Sequence, residues 1–187
     1  MPRPGRRLLI ADAAIELAAA GGNHAVTHRA IDQHLGLPNG STSYYFRTRG
    51  TLIAAAADRL IAVSQGAFSK LTGSADRPPI EVIADYTTEL VTERRAEVLA
   101  RQALLLETGL SADVHERLAR CFFSVPAATA LMAGRPAPAV AANQLITVLE
   151  GIVFAHTQGA DATRTRGRRR AIRGLLAETC PHLVDAE

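Results

Sequence analysis

The stretch from Thr27 to Leu52, THRAIDQHLGLPNGSTSYYFRTRGTL, constrains the fold more than any other part of the chain. It specifies two short helices, a tight turn and the start of a longer helix. The Thr27 hydroxyl can accept an orphan backbone N–H and so open the first helix. Ala30, Ile31 and Leu35 follow at helical spacing and are expected to face inward. Gly36 ends that pattern, where a left-handed backbone costs little only for glycine. Leu37 is expected to plug the turn, and Pro38 suits the first turn of a second helix, about 38–45, because its missing N–H would be unpaired there.

The second helix has an unusual surface. Asn39, Gly40, Ser41, Thr42, Ser43 and Tyr44 are small or hydrogen-bonding, and few of them favour core burial. A slim polar helix fits a groove about 12 Å wide, the width of the B-DNA major groove. Arg29, Arg47 and Arg49 surround it as phosphate donors. This is helix-turn-helix architecture. Base-edge candidates are Asn39, Ser41 and Thr42, with Gly40 permitting close approach, and phosphate candidates are Thr27, Tyr44, Tyr45 and Arg49. Arg29 suits either a guanine edge or a phosphate. The Phe46 ring is expected to seal the small core.

Residues 21–52 resemble the DNA-binding segment of the TetR (tetracycline-repressor) family of transcriptional regulators. The resemblance rests on Gly21-Gly22, Thr27, Ile31, Leu35-Gly36, Gly40-Ser41, Tyr45-Phe46, and Thr48-Arg49 followed by Leu52, without gaps. Ser43 stands where the family usually has an aromatic phosphate contact, a role Tyr44 can take over. Arg49 stands for the usual lysine at the start of the fourth helix, and Arg47 for the usual proline or lysine after the aromatic pair. The resemblance implies a homodimer that binds a palindromic DNA operator and is released by a small-molecule effector. Repression is expected, with activation left open.

Charge agrees with that reading. The first fifty residues hold six arginines and three acids, whereas residues 51–187 are balanced. A basic face on the proposed reading head suits a polyanion. Arg3, Arg6 and Arg7 form a short arm able to reach DNA backbone or minor groove.

The remaining chain has helical spacing and no alternating strand pattern of useful length. A first helix, about 6–20, buries Ile10, Ala13, Ala14, Leu17 and Ala18, and Asp12 and Glu16 within it exclude a secretory core. A helix of about 48–71 joins the head to a second domain, carrying Leu52, Ala56, Leu60 and Val63 on one stripe. The GSADRPP segment, 73–79, is a linker. Helices follow at about 80–94, 96–110 (apolar nearly all round, hence buried), 113–123 (ended or kinked by Pro126), 140–157 and 163–179. Turns separate them, among them AGRPAP at 133–138. The fold class is therefore all-α, a three-helix head (1–47) and a helical ligand-binding and dimerisation domain (48–187).

The last two helices are apolar over more surface than one small domain covers, so they are expected to form the homodimer interface, as the resemblance also implies. The arginine-rich run Arg164–Arg173 is taken as a solvated face. Glu107, Phe122 and His156 are the candidates for an effector site in the second domain; Glu107 would orient a cationic ligand. His24 and His28 are separated by a turn and have no metal-ligand geometry. Cys121 and Cys180 are expected as reduced thiols of a cytoplasmic protein. No span able to cross a bilayer is expected. No catalytic constellation, phosphate loop or zinc spacing occurs, so neither an enzyme nor a cofactor is expected. The competing class is a helical ligand-binding or enzymatic bundle whose basic head is incidental.

Overall fold

The computed structural model of the chain describes residues 5–72, 77–133 and 136–183, and all its regular structure is helical. The expected arm around Arg3, the 73–76 part of the linker and Gly134-Arg135 of the AGRPAP turn lie outside the described residues. Two compact units form: residues up to Gln65 together with Ala96–Cys121, and Gly66–Arg95 together with Phe122 onward. The first unit thus takes in two segments, 48–65 and 96–121, that a division at residue 47 assigns to the second domain.

In the first unit, α1 (Arg6–Gly21) buries Ile10, Ala11, Ala13, Ala14, Ile15 and Ala18. Small residues on this face let neighbouring helices approach closely. Asp12 and Glu16 lie outside it, Asp12 accepting from Arg59 Nε at 2.7 Å and Glu16 from His34 at 2.7 Å. A 3₁₀ turn (Asn23–Ala25) leads into α2 (His28–His34), and α3 (Ser41–Tyr45) and α4 (Arg49–Thr72) follow. Leu52, Ile53, Ala56, Ala57 and Leu60 are the buried stripe of α4; Val63 is half-buried. Phe46 seals this core as expected, with the Arg7 guanidinium stacked 4.4 Å from its ring centroid. Arg7 also donates to the Tyr45 carbonyl, so it serves the head rather than a free arm.

The expected helix of 96–110 is shorter. α6 (Arg95–Leu105) ends in tight turns, with Leu106 N–H and Glu107 N–H donating three residues back. Leu106 is 73% exposed, so the apolar run does not continue as a buried helix. α7 (Ala112–Ala119) is capped at its start by Ser111 and at its end by buried Arg101, whose guanidinium donates to the Leu118 and Ala119 carbonyls. A cation at a helix C-terminus complements the orphan carbonyls and the helix dipole.

In the second unit, α5 (Pro79–Val91) starts on Pro79 and buries Ile80, Val82, Ile83, Tyr86, Leu90 and Val91. Pro126 does not kink a helix. It lies in the first turn of a separate α8 (Val125–Leu131) capped by Ser124, where its missing N–H goes unneeded. α9 (Pro138–Thr157) buries Ala142, Leu145, Leu149, Ile152 and Val153. α10 (Arg168–Thr179) begins five residues later than the spacing predicted and buries Ile172 and Leu176; Leu175 is 43% exposed. The arginine run is largely exposed, Arg164, Arg166, Arg169 and Arg170 among it, but part of it is also paired: Arg169 with Glu81 and Asp85, Arg173 with Glu81, while Arg168 donates to the Val91 carbonyl. These pairs staple α10 to α5. By length and composition alone α9 is long and apolar enough to cross a membrane, contrary to the expectation above. Its packing against α5 and α8 gives those apolar residues a use within the unit.

Candidate nucleic-acid interface

The Thr27 hydroxyl accepts the Ala30 N–H at 3.1 Å and opens α2. Ile31 and Asp32 are the buried residues of this short helix. An unpaired buried carboxylate would be costly, but Asp32 is fully engaged. Its Oδ1 accepts the Thr42 backbone N–H at 2.8 Å and the Thr42 hydroxyl at 2.7 Å, and Oδ2 accepts the Gly40 N–H at 2.8 Å. Burial pushes the Asp32 carboxyl up, while the bonds from Thr42 and Gly40 and the nearby His28 push it down; the balance lies below the ordinary value.

The start of the second helix differs from the sequence expectation. Pro38, Asn39 and Gly40 form a turn, and α3 begins only at Ser41. Gly40 has φ +90°, a left-handed conformation that a side chain would strain. That geometry aims its N–H at Asp32. The Ser41 hydroxyl donates to the Pro38 carbonyl at 2.6 Å and tightens the same turn.

The structure separates the sequence candidates. Arg29, Asn39, Gly40 and Ser43 line one groove beside His28 and Asp32. Thr27, Arg29, Asn39, Gly40, Ser43 and Tyr44 are exposed, Tyr44 by 82%. The Tyr44 and Tyr45 rings meet edge to face at 5.2 Å, and Tyr45 is half-buried. His28 is structural, its Nε2 donating to the Phe46 carbonyl at 2.6 Å.

Two candidates take other roles. Thr42 is fully buried and bound to Asp32, so its side chain is not available to a base edge. Arg49 turns inward, donating to Glu107 and to the Asn23 and Val26 carbonyls. These bonds occupy most of its donors. Asp32 and the Arg49–Glu107 pair went unread in the sequence. An acid at an inward helical position, ten residues before a threonine, was the available signal for the first; the second joins residues 58 apart and has no local signal.

The effector candidates are also redistributed. Glu107 belongs to the first unit, where it pairs with Arg49 at 2.6 Å. Its carboxyl is held below the ordinary glutamate range chiefly by the Arg49 hydrogen bond, with burial opposing. Phe122 is buried, and its carbonyl accepts the Tyr86 hydroxyl at 2.8 Å. His156 is buried too, and burial lowers its affinity for a proton despite Asp161 nearby. Neither Phe122 nor His156 lines the apolar recess of the second unit. That recess lies among Ile83, Tyr86, Phe123, Ser124, Ala128, Leu145 and Leu149 and encloses about 30 Å³, room for about one water.

Known proteins place this geometry. The profile of the tetracycline-repressor-like C-terminal domain matches residues 78–178. No curated protein sequence matches the chain. Among solved structures, a TetR-family member from Streptomyces coelicolor A3 superposes with a TM-score of 0.74 at 25% identity, over 94% of this chain and 98% of that one. The multidrug-binding protein EbrR in complex with ethidium gives a TM-score of 0.64 at 26% identity, over 93% and 98%. A transcriptional regulator from Aquifex aeolicus VF5 shares the fold, with a TM-score of 0.70 at 15% identity over 93% and 99%. With more than half of its length matched by the C-terminal profile and an all-helical architecture like that of these regulators, the chain belongs to the TetR family of transcriptional regulators.

Proposed function

We propose that the protein binds a roughly palindromic operator as a homodimer, represses transcription from it, and leaves it when a small apolar molecule occupies the second unit. The observation that carries the DNA-reading part is that the segment 39–45, the turn and α3 together, is tied down through backbone and buried groups while its remaining polar side chains face outward. Gly40 and Thr42 are fixed to buried Asp32, while Asn39, Ser43 and Tyr44 are exposed. A helix held from behind with a polar outer face is what groove insertion needs. Asn39 and Ser43 are proposed to face base edges, with Gly40 as the point of closest approach. Thr27, Tyr44 and Tyr45 are proposed to hold phosphates, and Arg29 serves either purpose. Ser41 contributes through its hydroxyl oxygen, since its proton is spent on Pro38.

One head reads few base pairs, and a two-fold pair of heads one DNA turn apart, about 34–36 Å, reads a palindrome. The last two helices are the proposed interface. Val140 and Phe154 of α9 and Leu175 of α10 are exposed large apolar residues, 57%, 56% and 43% accessible, which a second copy would cover.

The recess beside Tyr86 is the proposed effector site. EbrR was crystallised with ethidium, a cation. Here no charged side chain lines the recess, and the Tyr86 hydroxyl already donates to a carbonyl. An uncharged apolar effector is therefore favoured over a cationic dye. At about 30 Å³ the recess must widen to admit it, and a ligand that binds only the widened form shifts the population towards that form.

A gel-shift titration against the DNA upstream of the protein's own coding region tests the reading. Saturable retardation that survives excess unrelated duplex is the expected result. Binding no tighter than to unrelated DNA refutes it and returns the chain to the class of helical bundles with an incidental basic head. Naphthalene and ethidium separate the effector classes: naphthalene is expected to raise the melting temperature and release the DNA, and ethidium to do neither.

A further inference from the structure

Arg49 stands at the first turn of α4, where a cation has an unfavourable position with respect to the helix dipole, yet its guanidinium points back into the first unit. Nε and Nη2 donate to Glu107 Oε2 at 3.1 and 2.6 Å, Nη2 donates also to the Asn23 carbonyl at 2.6 Å, and Nη1 donates to the Val26 carbonyl. Four bonds occupy most of the five N–H groups that a guanidinium carries. The two carbonyls belong to the first residue of the 3₁₀ turn and to the residue that follows it, just before the Thr27 cap of α2, and Val26 is fully buried. Glu107 follows α6, and its side chain is only 16% exposed. Its carboxylate also accepts a backbone hydrogen bond from Gly109.

We propose that Arg49 and Glu107 form the positioning joint of the reading head. Glu107 holds the guanidinium, the guanidinium holds the 23–26 segment, and that segment sets where α2 and the α3 it carries present themselves to DNA. Neither residue touches a phosphate. Charge-assisted bonds of this kind are stronger than neutral ones and fix direction as well as distance. Removing the carboxylate leaves the guanidinium to leave for solvent, and with it the tie between the α6–α7 segment and the α1–α2 turn. The proposal rests on α3 being the DNA reader.

Binding of the protein's upstream duplex, followed by fluorescence anisotropy between 50 and 200 mM salt (roughly the range over which phosphate contacts show), tests it. Glu107→Ala and Arg49→Ala are each expected to weaken binding about tenfold or more. The double variant is expected to be no weaker than either single, because both break the same joint. All three are expected to keep the wild-type salt slope. Glu107→Gln, which keeps an acceptor oxygen, is expected to recover most of the affinity. A slope reduced by about 0.9 in Arg49→Ala makes Arg49 a phosphate contact and overturns the proposal, as does a double variant showing the product of the two losses. Amide hydrogen exchange of the free protein needs no DNA: Glu107→Ala is expected to speed exchange across residues 23–31, and unchanged exchange also overturns the joint. Wild-type protein indifferent to the duplex overturns the DNA reading instead, and the exchange result tells the two failures apart.

Discussion

One carboxylate, that of Asp32, fastens Thr42 by both its backbone N–H and its hydroxyl, at 2.8 and 2.7 Å. The helix it fastens has only five residues, too few to be stable alone. Asp32→Asn can keep its oxygen on the two Thr42 donors but sets its NH₂ against the Gly40 N–H, leaving these two donors facing each other unpaired. A loss of about 2–3 kcal/mol is expected from the unsatisfied buried groups, read by urea denaturation, together with loss of operator binding. Thr42→Val removes one bond and is expected to cost about 1 kcal/mol. Thr42→Ser is expected to keep the wild-type base preferences in a binding-site selection, since Thr42 does not face a base.

The same carboxylate gives the head a pH dependence. Its folded pKa lies below the ordinary 3.8. The stability it contributes is therefore complete above that ordinary value and is lost as pH falls through the folded one. Thermal melts are expected to hold steady from neutral pH down to about pH 4 as far as Asp32 is concerned, and to fall below it. Asp32→Asn should flatten that acid limb. Glu107, lowered by Arg49, adds a loss of the same sign below its ordinary 4.5.

Much of the head was legible because its signals are local. Thr27 caps the helix it was expected to cap, Ile31 and Phe46 are buried, and Gly36 has the left-handed φ that its place after α2 required. The misplacements share an origin: polarity does not fix exposure, nor apolarity burial. Thr42 is polar, yet it is buried because Asp32 reaches it from another helix. Arg49 is cationic, yet it is bound inward by Glu107 from 58 residues away. A composition-based reading of 96–110 could not foresee that chain direction changes at Leu105 and turns Leu106 outward. Arg49 and Glu107 lie too far apart for any local window to hold both, whereas Asp32 and Thr42 are ten residues apart and meet only because α2 and α3 pack together.

The exposed residues of the head divide into two kinds of effect. Asn39→Ala is expected to relax preference at one or two base pairs, at about 1–3 kcal/mol per lost discriminating pair, with the salt slope unchanged. Arg29→Ala distinguishes its two roles: a lower slope by about 0.9 assigns it to a phosphate, and relaxed preference at a guanine assigns it to a base. Binding-site selection with each variant, run at two salt concentrations, reads both quantities.

The staple between α5 and α10 is expected to be modest. Glu81 accepts from Arg169 and Arg173, and Asp85 from Arg77 and Arg169. The Glu81 carboxyl is lowered chiefly by the Arg173 and Arg169 hydrogen bonds. All these side chains are partly exposed, so solvent screens them. Glu81→Gln should cost about 1 kcal/mol or less and lose part of that effect in high salt, measured as the shift in urea midpoint.

Gly151 offers a sharper test of the proposed dimer than an apolar deletion does. It lies exposed on α9, one turn before exposed Phe154, and a Cβ built on it meets nothing within 4 Å in the single protomer. On helix propensity alone, Gly151→Ala should stabilise an isolated protomer by about 1 kcal/mol. Where two copies of α9 cross closely at this point, the same methyl group holds the helices apart and weakens association. The expected outcome is a higher dimer dissociation constant by sedimentation equilibrium, despite a protomer that is intrinsically more helical. Phe154→Lys, which puts a charge where a second copy would cover the ring, should give monomers and reduce operator affinity, because each half-site is then bound separately. Unchanged association in both variants would move the interface away from this face of α9, since no packing of two helices over Gly151 and Phe154 tolerates both substitutions.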